Sequence, residues 1–206
     1  MKFIGNFIGA DFGYNSLGHR CRELVELDLD NYILFTGCSH TLGEGLAIEQ
    51  TFPFITSTIL KTDYYNLGLS GSGIDVVLYN LWQWFSFVKK KPKILFVQLP
   101  DYTRFCSIID DTDNIIPRGN WDTTVQKFIV DGLDNGFLAA RKRMVISQLN
   151  ALDIPIVKFT HGSTIPYIDD DIRMEHLDYA QDRVHSGIES HKIFASILVE
   201  IAYDKY

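Results

Sequence analysis

Four short apolar runs, each halted by Gly, Pro or a polar turn, alternate with helix-periodic segments, and this rhythm restricts the fold more than any other feature. Tyr32 to Thr36 (YILFT) stops at Gly37, and Asp63 to Leu67 runs into the turn LGLSGSG. Lys93 to Leu99 (KILFVQL) stops at Pro100, and Ile154 to Thr160 (IPIVKFT) stops at His161. A run such as YILFT, apolar with no alternation, suits a strand buried on both faces of a parallel sheet. Between them, residues 45 to 60, 74 to 88 and 131 to 151 carry helical spacing, with Pro53 inside the first segment. An amphipathic helix is expected from Ile188 to Tyr203. The pattern predicts an α/β fold, a three-layer sandwich around a central parallel sheet of about four to five strands. Residues 101 to 130 lack clean periodicity and are expected to form a long loop excursion, and 161 to 186 reads mostly as loop. The chain, 206 residues in all, suits a single domain spanning 1 to 206.

Composition then excludes several classes of function. The formal charge is −7, whereas a nucleic-acid surface needs clustered Lys and Arg. The dense basic run Lys89-Lys90-Lys91 lies between a helix and a strand and reads as a solvated turn. No stretch approaches the roughly 18 apolar residues of a membrane span, and Asn6, Asp11 and repeated Gly interrupt the N-terminus too early for a signal-peptide core. A cytoplasmic setting is the default expectation, with release by lysis equally compatible. The three cysteines, Cys21, Cys38 and Cys106, are widely spaced with no CxxC pair, so neither a disulfide framework nor a zinc motif is indicated. No pair of histidines has zinc-motif spacing, and neither metal nor cofactor is expected. Trp82 and Trp84 read as core, while Trp121 in the excursion is a candidate substrate platform.

Ligand sites in parallel α/β sheets lie in the loops that follow the C-terminal strand ends. Here those loops read GCSHTLGEG, NLGLSGSG and QLPDYTR, and DRVHSGIESHKIFA precedes the last helix. A serine hydroxyl needs a base within hydrogen-bond reach, and that base needs a third group to fix its tautomer. Ser39 directly follows a buried strand on a Gly37-Cys38-Ser39 turn. Asp182 and His185 are three apart, a spacing that lets the carboxylate fold back onto one ring nitrogen and leaves the other free to point across a cleft. His40, adjacent to Ser39, is expected to be a helix-start or surface residue, and His161 a candidate substrate contact. Cys38 is expected to pack behind Ser39.

The four segments together resemble the SGNH (GDSL-type) hydrolase family, in order and spacing, from about residue 15 to 203. GCSHTLGEG is similar to the family's nucleophile block, with Cys38 where Asp is commoner. Asn66-Leu67-Gly68-Leu69-Ser70-Gly71 is similar to its second block, and Asp182-Arg183-Val184-His185 to its DxxH block. NSLGHRCRE (Asn15 to Glu23) resembles a lead-in found in some relatives. The resemblance implies a flavodoxin-like architecture and a serine esterase with Ser39 as nucleophile, His185 as base and Asp182 orienting it. It further implies that Gly71 and Ser39 give backbone N–H groups to the oxyanion. The third block departs from the family: where an Asn donor is usual, the chain reads Gln98-Leu99-Pro100-Asp101-Tyr102-Thr103-Arg104. Gln98 or Arg104 is expected to donate in its place, since an ionised Asp101 would repel an oxyanion. The implied partner is a small-molecule or carbohydrate ester, an O-acetylated sugar among them, with no nucleic acid and no membrane. Two alternatives share the fold: a non-catalytic binding or virion module, and an acyltransferase using the same three residues.

Overall fold

The computed structural model describes residues 13–101, 104–109, 114–118, 123, 135–161 and 172–205. Five parallel strands form the central sheet: β1 (Tyr32–Thr36), β2 (Asp63–Asn66), β3 (Leu95–Gln98), β6 (Ile156–His161) and β7 (Ile172–Met174). Their spatial order is β2-β1-β3-β6-β7, and every pairing is parallel. Every residue of β1 and β3 is buried, as uninterrupted apolar runs require. The helices are α1 (Ser39–Leu42), α2 (Phe52–Leu60), α3 (Ile74–Phe87), α4 (Asn135–Asn150) and α5 (Ile188–Lys205). The strand order reverses direction at β1, so right-handed crossovers put α2 on one face of the sheet and α3 and α4 on the other.

Aromatic rings fill both interfaces. Phe35 of β1 stacks on Phe96 of β3 at 4.7 Å between centroids. Phe52, at the start of α2, meets Phe35, Phe159 and Phe194 edge-on at 5.9, 5.6 and 5.1 Å, tying α2 and α5 to the same face. Trp84 of α3 packs on Tyr65 at 4.4 Å and donates its indole N–H to Tyr32 Oη at 3.2 Å. Trp82, expected in the core, is instead 42% exposed. Two positions apart on a helix, Trp82 and Trp84 point to different faces, and only one of them can meet the sheet.

The structure also departs from the expected element boundaries. Pro53 does not interrupt a long helix: a 3-10 turn (Ile48–Gln50) comes first, and Pro53 lies in the first turn of α2, where its missing N–H costs nothing. Within the expected 101–130 excursion, β4 (Phe105–Ile109) and β5 (Asn114–Arg118) pair as an antiparallel hairpin apart from the main sheet. Trp121 lies outside the described residues. The stretch expected as loop over 161–186 contains β7, a strand of three residues, too short to produce a periodicity signal. The basic run is solvated, with Lys90 paired to Asp30 and Lys91 at 2.9 Å from Asp153. Among the described residues, no helix is long and apolar enough to cross a membrane.

Candidate active site

Ser39 opens α1 immediately after β1, and the loops after β2 and β3 hold that turn in place. Gln98, at the end of β3 and 1% exposed, accepts with Oε1 from Cys38 N at 3.1 Å, Thr41 N at 3.2 Å and Thr41 Oγ1 at 2.6 Å. Asn66, at the end of β2, donates to Thr41 O at 2.8 Å and accepts from Gly68 N at 2.9 Å. A Cβ on Gly68 would stand 2.6 Å from Leu42 N, so only glycine lets this loop lie against α1. Leu69 N and Ser72 Oγ both donate to Gly37 O, at 3.1 and 3.0 Å. Gly71 sits in this loop at φ 66°, the left-handed region that favours glycine.

The lead-in segment braces the same turn from the other side. The buried Arg20 guanidinium donates to the carbonyls of Gly43 and Leu46 and, at 3.4 Å, of Leu42. These oxygens lie at and beyond the C-terminus of α1, where backbone carbonyls lack helical partners. Burial lowers the Arg20 pKa, with nearby tyrosines and Glu49 and Glu44 opposing the shift. Asn15 donates to Tyr65 Oη at 3.1 Å, and His19 Nδ1 lies 2.9 Å from the same oxygen.

Asp182 and His185 occupy a narrow hairpin ahead of α5. Gly187 N donates to Asp178 O at 2.9 Å and Ala180 N to His185 O at 2.8 Å, and Tyr179 and Ser186 form a β-bridge. Arg183, at φ 58°, makes the reversal. Asp182 Oδ2 lies 2.6 Å from His185 Nδ1, and Oδ1 accepts from Val184 N at 2.9 Å and His185 N at 3.0 Å. Burial alone would raise the Asp182 pKa, but these backbone bonds and the imidazole bring it below its ordinary value. Gly45, from the tail of the Ser39 block, closes the contact between the two loops: a Cβ there would lie 3.0 Å from Asp182 Oδ2.

The remaining partners differ from the expected pattern. Ser39 Oγ meets Cys38 Sγ at 4.0 Å, and no hydrogen bond joins it to His185 among the described residues. His185 Nε2 instead faces Glu44 Oε2 at 3.7 Å, and Ser70 Oγ donates to that same oxygen at 2.6 Å. Gln98 Oε1 is fully engaged as an acceptor for the Ser39 turn. Burial first, then the charges of His176 and Arg104, hold the His161 pKa down. Cys38 is buried. A cleft of about 560 Å³ is lined by Tyr14, Arg20, Glu44, Gly45 and Gln181 among others.

Sequence reasoning missed Glu44, Thr41 and the histidine cluster. His40 lies at the start of α1, as expected, but is buried there; its ring stacks on His161 at 3.3 Å and lies 5.2 Å from that of His185. The signal for Glu44 was the second half of GCSHTLGEG, which follows a four-residue helix too short to carry periodicity.

Comparison with known proteins bears on the fold. No protein-family model matches the sequence, and no curated protein matches it. Solved structures do match. A carbohydrate esterase family 2 enzyme from Corynascus thermopiles (Myceliophthora fergusii), which carries an added carbohydrate-binding domain, aligns at TM-score 0.51 and 13% identity, over 84% of this chain and 66% of that one. A member of the lipolytic G-D-S-L family from Veillonella parvula aligns at TM-score 0.51 and 13% identity, over 82% and 97%. An acetyl xylan esterase from Butyrivibrio proteoclasticus aligns at TM-score 0.50 and 13% identity, over 85% and 64%. The chain has the SGNH-hydrolase fold. It spans about two-thirds of the length of the two carbohydrate esterases.

Proposed function

We propose that the protein is a serine esterase in which Ser39 attacks a carboxylic ester, His185 carries the proton and Asp182 orients the imidazole. The observation that carries this reading is the 2.6 Å contact between Asp182 and His185 Nδ1, on a hairpin whose carboxylate abuts the loop that follows Ser39. The contact leaves Nε2 for proton transfer. As Ser39 Oγ bonds to the acyl carbon, its proton passes to Nε2, and the imidazolium returns it to the departing alkoxide. Water then cleaves the acyl-enzyme by the same transfers in reverse. Catalytic hydrogen bonds are often long without substrate and tighten in the complex, so Glu44 marks a resting partner of His185 that substrate must displace. The Ser39 and Gly71 amides are the proposed oxyanion donors. Arg104 is the proposed third-block donor, because Gln98 presents its acceptor oxygen to the nucleophile turn.

An O-acetylated carbohydrate is the proposed substrate class, supported by the likeness to an acetyl xylan esterase and a carbohydrate esterase and by the open cleft beside Glu44. Hydrolysis of p-nitrophenyl acetate and of acetylated xylan by the wild type and by Ser39→Ala tests the reading, with fluorophosphonate labelling of Ser39 as a direct check. A wild type that neither turns over nor labels favours the second reading, a binding module on the same fold. That alternative draws on the missing Ser39–His185 hydrogen bond and on the Glu44 oxygen facing Nε2. Acyl transfer to a sugar hydroxyl would label Ser39 equally and differs only in its product.

A further inference from the structure

We propose that His40, His161 and His176 form a binding site for a divalent transition-metal ion of the zinc class. The three residues come from α1, the end of β6 and the segment after β7, and one ligating nitrogen from each lies within 4.8 Å of the others. Imidazole nitrogen is the donor type suited to zinc, copper, nickel and iron, where magnesium and calcium prefer oxygen. The esterase reading uses none of the three, and ion binding does not depend on it.

Two further observations point to a ligand. His40 is only 7% exposed, yet its Nδ1 is buried with no hydrogen-bond partner among the described residues, and a buried polar atom of this kind ordinarily has one. The other two rings have their tautomers arranged by neighbours, as metal-binding histidines do. His176 Nδ1 lies 3.3 Å from Asp178 O, a bond in which the nitrogen must be the donor, so Nε2 carries the lone pair. His161 Nε2 lies 3.0 Å from Ser186 Oγ, which leaves Nδ1 as its ligating atom when Nε2 donates.

The rings of His40 and His161 lie nearly parallel, 15° apart, so their in-plane lone pairs run side by side. Coordination turns one ring about its Cβ–Cγ bond and draws the nitrogens to about 3.3 Å apart, the tetrahedral edge for a zinc–nitrogen distance of about 2.05 Å. Three protein ligands leave one position for water or another ligand. The separation in sequence explains why no zinc motif was visible: the sheet brings His40 to two histidines that lie more than a hundred positions further along the chain.

The test uses the full chain, stripped with chelator and desalted. Zinc sulfate is titrated by calorimetry, metal content is counted by mass spectrometry, and cobalt replaces zinc for visible spectroscopy. One ion per chain is expected, with a tetrahedral cobalt band and a raised melting temperature. His176→Ala, at an exposed position that should not disturb folding, is expected to weaken binding about tenfold or more, and His161→Ala likewise. His185→Ala should retain the ion. Absence of stoichiometric uptake by the wild type overturns the site, as does uptake that His161→Ala and His176→Ala leave unchanged. Uptake lost only in His185→Ala would also overturn it, by assigning the ion to other ligands.

Discussion

Ser39 is buried, and among the described residues its hydroxyl has Cys38 Sγ at 4.0 Å as its hydrogen-bond partner. Its removal therefore leaves the fold nearly undisturbed while deleting the proposed nucleophile. Ser39→Ala is expected to keep its melting temperature within a degree or two and to lose turnover by on the order of 10⁶-fold. Residual turnover near wild type in the ester assay would discard Ser39 as nucleophile. Gln98 behaves oppositely, because its Oε1 accepts three hydrogen bonds inside the core. Gln98→Ala strands Cys38 N and Thr41 N and should cost about 2–6 kcal/mol, at about 1–3 kcal/mol per buried unsatisfied group. Denaturant unfolding measures that loss, and a cost under about 0.5 kcal/mol would show that Gln98 does not hold the turn. Arg104→Ala should leave stability closer to wild type and act chiefly on turnover.

At the scale of elements, α5 is fixed by a residue outside it. Asp178 accepts from Ser190 N at 2.8 Å, Glu189 N at 3.0 Å and Ser190 Oγ at 2.7 Å, satisfying donors that the first helical turn leaves unpaired. Burial would raise the Asp178 pKa, but the Ser190 and Glu189 bonds lower it overall. A carboxyl with a depressed folded pKa stabilises the protein fully above its unfolded value of about 3.9, and the contribution disappears as pH falls through the folded one. Asp178→Ala should cost about 0.5–2 kcal/mol at neutral pH, and the gap between variant and wild type should narrow below about pH 4. Thermal melts of both proteins from neutral pH downward provide the check. Gly187→Ala should be worse, since an added Cβ would overlap the Asp178 carboxylate.

For the whole molecule, histidines buried in neutral form set a pH dependence of stability. His191 accepts from Phe52 N at 2.9 Å and stacks on the Phe52 ring at 5.3 Å. Burial, against the attraction of Asp178, lowers its pKa to about 4. His161 lies at about 3, and His40 is depressed as well. Below the unfolded value of about 6.5, the unfolded chain takes up protons that the folded chain refuses. Stability is therefore complete above about pH 6.5 and declines toward pH 4. In metal-free buffer the melting temperature should drop by several degrees between pH 7.5 and about pH 5. A flat profile over that range would mean that these histidines protonate without unfolding.

The α/β alternation and the parallel sheet were legible because runs such as YILFT and KILFVQL state their burial locally. The adjacency of Asp182 and His185 was legible for the same reason, since three residues on one turn fix their own geometry. Other elements were not: β7 and α1 lie below the length at which periodicity appears, and Pro117 inside β5 argues against a strand when read locally. Nor does sequence order say which loops touch. Gln98 meeting Thr41, Glu44 meeting His185, Gly45 lying against Asp182 and the stacking of His40 on His161 all depend on the order β2-β1-β3-β6-β7. Local sequence determines where each strand and turn begins. Only the packed sheet decides which side chains share a site, because that depends on contacts between residues far apart along the chain.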